Sequence, residues 1–184
     1  MEALELLLGR VSVSRLGEPA PDTAQLETLF KAAFRAPDHG QLRPWRFLTV
    51  QGDARERLGE LLAEAVGRQP EAKSEAEAKA RKMPLRAPLV VIAIGCPQVH
   101  AKIPPGEQLL TVGCAVHGML LAAQAIGLGG IWRTGPLAYD VHVAAGLGLA
   151  EHEQILGFLY LGTPEGALRT PPVVEVADFV RAWP

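Results

Sequence analysis

Apolar and polar residues alternate along this chain with two different periods. From residue 22 the apolar positions Leu26, Leu29, Phe30 and Ala33 recur at helical spacing. Asp22, with Gln25 three residues on, is a capping signal for that helix. Pro37 closes it, because the residue before a proline is pushed out of the α region. Residues 54–66, "ARERLGELLAEAV", repeat the helical pattern with Leu58, Leu61, Leu62 and Ala65 inward. The opening "EALELLLGR" reads as a shorter helix, and "RVSVSRLG" after it alternates as a strand or an extended segment.

Strands show in three other places. "WRFLTV" (45–50) and "EQILGFLYLGTPEG" (153–166) are bounded by Pro and Gly. "APLVVIAIG" (87–95) has no polar alternation at all, which is the pattern of a strand covered on both faces. "GGIWRTG" (129–135) reads as a short strand bounded by glycines, and "YDVHVAAGLGL" as a short helix and its end. The apolar stretch 109–132, "LLTVGCAVHGMLLAAQAIGLGGIW", is long enough to suggest a membrane span. Its Thr111, His117, Gln124 and glycines favour a helix buried all round in a core, over about 107–127. "PEAKSEAEAKARKMP" (70–84) reads as a solvated helix or a flap. The Pro-punctuated tail after 166 is apolar at intervals and is expected to pack on something. The elements make one α+β domain over residues 1–184.

Composition narrows the function classes. A net charge of −2 gives no basic excess for nucleic acid. Cys96 and Cys114 are too few and too far apart for a metal or disulfide framework, and are expected to be reduced in a cytoplasmic protein. The N-terminus lacks the basic region and cleavage site of a signal peptide. No nucleophile elbow, phosphate-binding loop, zinc motif or dinucleotide fingerprint occurs. If the chain is an enzyme, its hard chemistry belongs to a cofactor.

Three polar clusters remain. Arg10-Val11-Ser12 follows the first helix, where an arginine and a hydroxyl can hold a phosphate or polyol. Arg35 precedes "APDHGQLRPW", a polar turn against Trp45 that contains His39. "GGIWRTG" puts Trp132, Arg133 and Thr134 beside two glycines whose backbone can approach a ligand.

In this order, "ALELLLGRVSVSRL", "RAPDHGQLRPWRF", "RAPLVV", "GCAVHGMLLAAQAIGLGGIWRTG" and "GFLYLGTP" resemble the FMN-dependent nitroreductase family, in its short bacterial branch. The resemblance spans nearly the whole chain and is weakest over 68–82. It implies a nitroreductase-like α+β fold with a mainly antiparallel sheet flanked by helices. It further implies a homodimer with exchanged tails and FMN at the interface. By similarity, Arg10, Val11 and Ser12 lie along the FMN phosphate and ribityl chain. Trp132, Arg133 and Thr134 close the site from the C-terminal side. Arg35 and His39 reach the cofactor from the other subunit, and residues 122–127 correspond to a region assigned to the nicotinamide nucleotide.

The chain departs from the family's usual Pro-Ser-x-x-Asn-x-Gln-Pro-Trp at the lip. Asp38 and His39 stand where the serine region lies, Gln41 in place of the asparagine and Arg43 in place of the glutamine. Ser14 stands where a basic residue is usual, so Arg35 is the candidate for the charge that favours reduced flavin. The implied activity is hydride transfer from NAD(P)H through flavin N5 to a small electron-poor acceptor such as a nitro compound, quinone or enone. The alternative is a flavin-binding protein without turnover.

Overall fold

The computed structural model describes residues 2–184. Helix α1 (Ala3–Gly9) leads through an extended segment into the two-residue strand β1 (Leu16–Gly17). Helix α2 (Thr23–Ala33) starts at the Asp22–Gln25 capping box, in which each residue bonds the other's backbone N–H. The polar lip follows, then β2 (Trp45–Gln51), α3 (Ala54–Gly67), α4 (Ser74–Arg81) and β3 (Leu89–Gly95). Helix α5 (Pro105–Ala125), β4 (Gly129–Arg133), α6 (Val141–Gly146) and β5 (Gln154–Pro164) complete the regular structure.

The sheet is antiparallel throughout. β3 lies between β2 and β5, and β5 is flanked by β3 and β4 because both pair with residues 158–161. β1 pairs with the end of β5. The strand period of two explains how β3 and β5 serve two cores. Val90, Ile92 and Ile94 of β3, with Phe158 and Tyr160 of β5, face α3 residues Leu58 and Leu62. Leu89, Val91 and Ala93, with Leu159 and Leu161, face Leu29 of α2 and Val116 and Met119 of α5. Every residue of β3 is buried, which is why it lacks polar alternation.

The structure sharpens four expectations. "RVSVSRLG" becomes strand only at Leu16–Gly17. α5 is buried along one stripe, through Gln108, Thr111, Val112, Ala115, Val116, Met119 and Ala123. Its other face exposes Leu110, Cys114 and His117, so a helix of membrane-spanning length here is a one-sided core helix. The 70–84 stretch is a docked helix: Ala80 is buried, Arg81 Nε donates to Glu60 Oε1 at 2.7 Å, and the Arg81 carbonyl sits where a Cβ on Gly59 would be. The tail beyond Pro164 packs little on its own chain, with Val173, Val174, Phe179 and Trp183 exposed.

Candidate functional site

The first cluster is held by backbone bonds that leave its side chains unused. Val11 N donates to Gln124 Oε1 at 3.1 Å, and Gln124 Nε2 donates to Gly9 O at 3.2 Å. Val13 N donates to Gly130 O at 3.0 Å. Residues 9–13 are thereby strapped across the end of α5 and the start of β4. Among the described residues neither Arg10 nor Ser12 has a side-chain hydrogen bond or ion pair, and Ser12 is exposed. A free guanidinium and hydroxyl on a fixed backbone suit a phosphate or polyol. Gln124 in the 122–127 region is occupied by this strap.

Strand alternation divides the third cluster. Trp132 points to the α5 side, into a groove with Gly113, Cys114, His117 and Leu156, and donates from Nε1 to Leu156 O at 3.0 Å. Arg133 and Thr134 line a cavity of about 350 Å³ on the opposite face, with Leu62, Arg86, Phe158 and Tyr160. The adjacent glycines are buried in the sheet. A Cβ on Gly129 would meet Leu16 and Val13, and one on Gly130 would meet Leu120 and Leu161. Close packing explains the pair.

The lip is built by Asp38, whose carboxylate accepts from Leu42 N at 3.2 Å and Arg43 N at 2.7 Å. Those bonds hold a backbone with Gly40, Gln41 and Arg43 all at positive φ (74°, 53° and 50°), which is costly for the two non-glycine residues. Such strain concentrates at functional turns. His39 Nδ1 lies 3.2 Å from Glu107 Oε2, both side chains largely exposed. Trp45 is half-buried and stacks on Phe34, with centroids 6.2 Å apart and planes at 12°. Between them Arg35, Asp38, Gln41 and Arg43 frame a recess of about 640 Å³.

β2 carries the lip and β4 carries Trp132 and Arg133. The strand order puts them about three inter-strand spacings apart, roughly 14 Å. Arg35 and His39 thus lie far across the sheet from Arg133 and Thr134, and one chain does not bring them together. The first and third clusters do adjoin, through Val13 and Gly130.

Two groups of functional interest were not among the three polar clusters. One is Arg86 with Tyr160 in the Arg133 cavity. Burial pushes the Tyr160 hydroxyl upward, and the neighbouring Arg86 and Arg133 charges oppose that shift. The other is a clasp at the far end of the sheet. Glu153 accepts from Arg46 Nε at 2.7 Å and Nη2 at 2.6 Å, from Ala150 N at 2.9 Å and from Cys96 Sγ at 3.1 Å. Hydrogen bonding to Arg46 is the largest cause that holds the Glu153 carboxyl down at about 2. Burial first, then Glu153, pushes the Cys96 thiol up to about 12.

Residues 7–163 match the model of the nitroreductase family. YdjA of Escherichia coli strain K12, which carries a provisional NAD(P)H nitroreductase name, is 43% identical over 181 residues, 97% of this chain and 96% of that protein. A nitroreductase-like family protein from Bacillus cereus superposes with a TM-score of 0.86 at 22% identity, covering 99% of this chain and 96% of the other. A nitroreductase from Bacteroides fragilis with bound FMN gives a TM-score of 0.78 at 22% identity, with 99% of both chains covered.

Proposed function

The chain belongs to the nitroreductase family, and from that premise we propose that it is a cytoplasmic FMN-dependent oxidoreductase drawing electrons from NAD(P)H. The observation that carries the cofactor to this chain is the strapped segment 9–13, which leaves Arg10 and Ser12 beside β4 without side-chain partners among the described residues. A phosphate would take both. The Arg133 cavity, with its flat wall of Phe158, suits the ring end of the same cofactor.

FMN would supply the redox chemistry, accepting hydride from the nicotinamide at N5 and giving it to the acceptor in a second step. For a nitro group the balance is a hydride plus one proton from solvent, yielding a nitroso group and water. The chain's part is to position both partners and to stabilise charge; no side chain need act as general acid or base. His39 on the lip, 3.2 Å from Glu107, is the side chain that would assist.

The test is the visible spectrum of the purified protein before and after anaerobic NADH or NADPH. A flavin band that bleaches rapidly is expected. A band that persists with both donors would make the protein a flavin carrier without turnover. Arg10→Ala is expected to weaken FMN binding about tenfold or more, since a charge-assisted hydrogen bond contributes about 1.5–3 kcal/mol. Unchanged affinity in a fluorescence titration would remove Arg10 from the phosphate seat.

We read the active form as a homodimer. Leu4, Leu7 and Leu8 of α1 and Leu110 of α5 are exposed on one chain, as is the apolar tail. Among the described residues β2 pairs only with β3, and its other edge is open to an exchanged tail. The dimer would also carry Arg35 and His39 of one subunit to the cofactor of the other. Deleting residues 167–184 is therefore expected to yield monomers that retain little FMN, seen by light scattering after size exclusion. A truncated protein that remains a dimer would dismiss the exchanged tail.

A further inference from the structure

His39 does not stand alone on the lip. Its Nδ1 lies 3.2 Å from Oε2 of Glu107, an acid in the first turn of α5. A carboxylate only accepts, so the hydrogen of that bond sits on Nδ1. The other ring nitrogen, Nε2, has no partner among the described residues. The remaining charges of the lip are placed otherwise. Asp38 accepts from two lip amides, and Arg35 and Arg43 frame the recess beside Trp45.

The lip and the start of α5 form one platform, joined by the loop 96–104. Gln98 Nε2 donates to Leu42 O at 2.8 Å. Ile103 packs against the lip, where its Cδ1 would meet a Cβ on Gly40. His100 Nδ1 accepts from Lys102 N and Ile103 N and closes the loop's own turn. The loop in turn hangs on Gln108, next to Glu107. Gln108 Nε2 donates to Gln98 O at 2.8 Å and Ile103 O at 3.1 Å, and its Oε1 accepts from Gln98 N at 2.8 Å. Gln108 is only 2% exposed, and a buried amide so fully bonded holds its neighbours in one arrangement. The fold thus sets Glu107 and His39 at a fixed separation.

An exposed charge pair contributes little to stability. What this one does fix is the imidazole: how the ring is turned, and which nitrogen carries the hydrogen. Neutral histidine in water favours the hydrogen on Nε2. The bond to Glu107 selects the opposite tautomer.

We propose that Glu107 is a positioning residue that holds His39 in the Nδ1–H tautomer and so presents Nε2 as a hydrogen-bond acceptor to the cofactor site of the partner subunit. This rests on the dimeric flavin reading above, in which His39 crosses to the other subunit's cofactor. A flavin ring offers N–H groups along its edge, and an acceptor whose aim is already set loses little entropy in meeting one. Turned the other way, the ring would face the same groups with a donor. Glu107 acts only through His39 and makes no contact of its own with the cofactor.

The test compares wild type with Glu107→Ala and Glu107→Gln, each also in a His39→Ala background. Both side chains are largely exposed, so the variants are expected to fold. The tautomer is read first, from long-range nitrogen–proton correlation spectra of the imidazole rings at alkaline pH, with His39 assigned by its loss in His39→Ala. Wild type should carry the hydrogen on Nδ1. Glu107→Ala should shift His39 toward the Nε2–H form, and Glu107→Gln, which keeps an acceptor oxygen, should shift it less. This reading does not depend on flavin.

FMN affinity is read second, by flavin fluorescence. Glu107→Ala should weaken it about three- to fivefold, the scale of an exposed pair, and Glu107→Gln should recover part of the loss. In the His39→Ala background neither substitution should weaken it further. A hydrogen on Nε2 in wild type, or a tautomer unmoved by Glu107→Ala, would overturn the assignment. Equal losses of affinity in both backgrounds would overturn it too, because Glu107 would then act as a first-turn acid of α5 or on the cofactor directly. A tautomer held by Glu107 in a protein that takes up no FMN would sink the proposed function, and with it the pair's role toward a cofactor.

Discussion

Gly157→Ala is expected to destabilise the protein by about 3–5 kcal/mol, lowering Tm by roughly 10 °C and releasing flavin. Gly157 sits where the β3–β5 register shifts, and its φ is 155°. A Cβ there would overlap Trp132 Nε1 and Cδ1 and crowd the Arg133 carbonyl. Trp132 cannot yield easily, because its Nε1 is bonded to Leu156 O on the strand it crosses. The indole pinned over this bulge fixes the end of β4, and hence the exit of Arg133 and Thr134 on the other face. A double-mutant cycle separates the steric clash from backbone strain. With Trp132→Leu as background, Gly157→Ala should cost about 1–2 kcal/mol less, because only the strain and the Arg133 carbonyl contact remain. Equal costs in both backgrounds would refute the clash as the cause. Thermal melts followed by circular dichroism give the stabilities.

Gly157 illustrates what a linear reading can and cannot reach. β3 was legible because an unbroken run of β-branched residues has few alternatives to a strand covered on both faces. α2 was legible because the Asp22–Gln25 box and Pro37 mark both its ends. α4 reads as a solvated helix because its one inward residue is Ala80; composition does not show that the Arg81 backbone seats against Gly59 of another helix. At the site, Arg10 to Ser12 stood out because a polar triplet follows directly on a helix. Trp132 and Arg133 stood out as neighbours, yet strand alternation alone would have put them on opposite faces. Arg86 and Tyr160 lie on separate strands and turns and meet only through the fold. No spacing rule reports a pair of cations left without acids. The Arg46–Glu153 pair is 107 residues apart in the chain and was equally invisible.

That pair carries the second large effect. Glu153→Gln is expected to cost about 3 kcal/mol near neutral pH, from the removal of one partner of a mostly buried ion pair. The Glu153 side chain is only 11% exposed and satisfies four donors. An amide in its place keeps one acceptor oxygen and turns an N–H toward the remaining donors, leaving the guanidinium of Arg46 short of its counter-charge. The pH dependence has a definite sign. The folded carboxyl titrates at about 2 against an ordinary 4.5, so the native state binds fewer protons than the unfolded chain between those values. The stability contributed is fully present above about pH 4.5 and is lost as pH falls through 2. The gap between wild type and Glu153→Gln should therefore narrow steadily below pH 4.5 in urea melts; a constant gap down to pH 3 would contradict the clasp. Cys96 gives an independent reading of the same carboxylate. With its thiol held at about 12, Cys96 should resist alkylation at pH 8 in wild type. Burial, the larger cause, still raises the thiol when the Glu153 charge is removed, so Cys96 should label faster in Glu153→Gln than in wild type without becoming fully reactive. The clasp joins β2, which carries the lip, to the turn before β5, which carries Tyr160. A weakened clasp should consequently loosen the lip as well as lower the melting point.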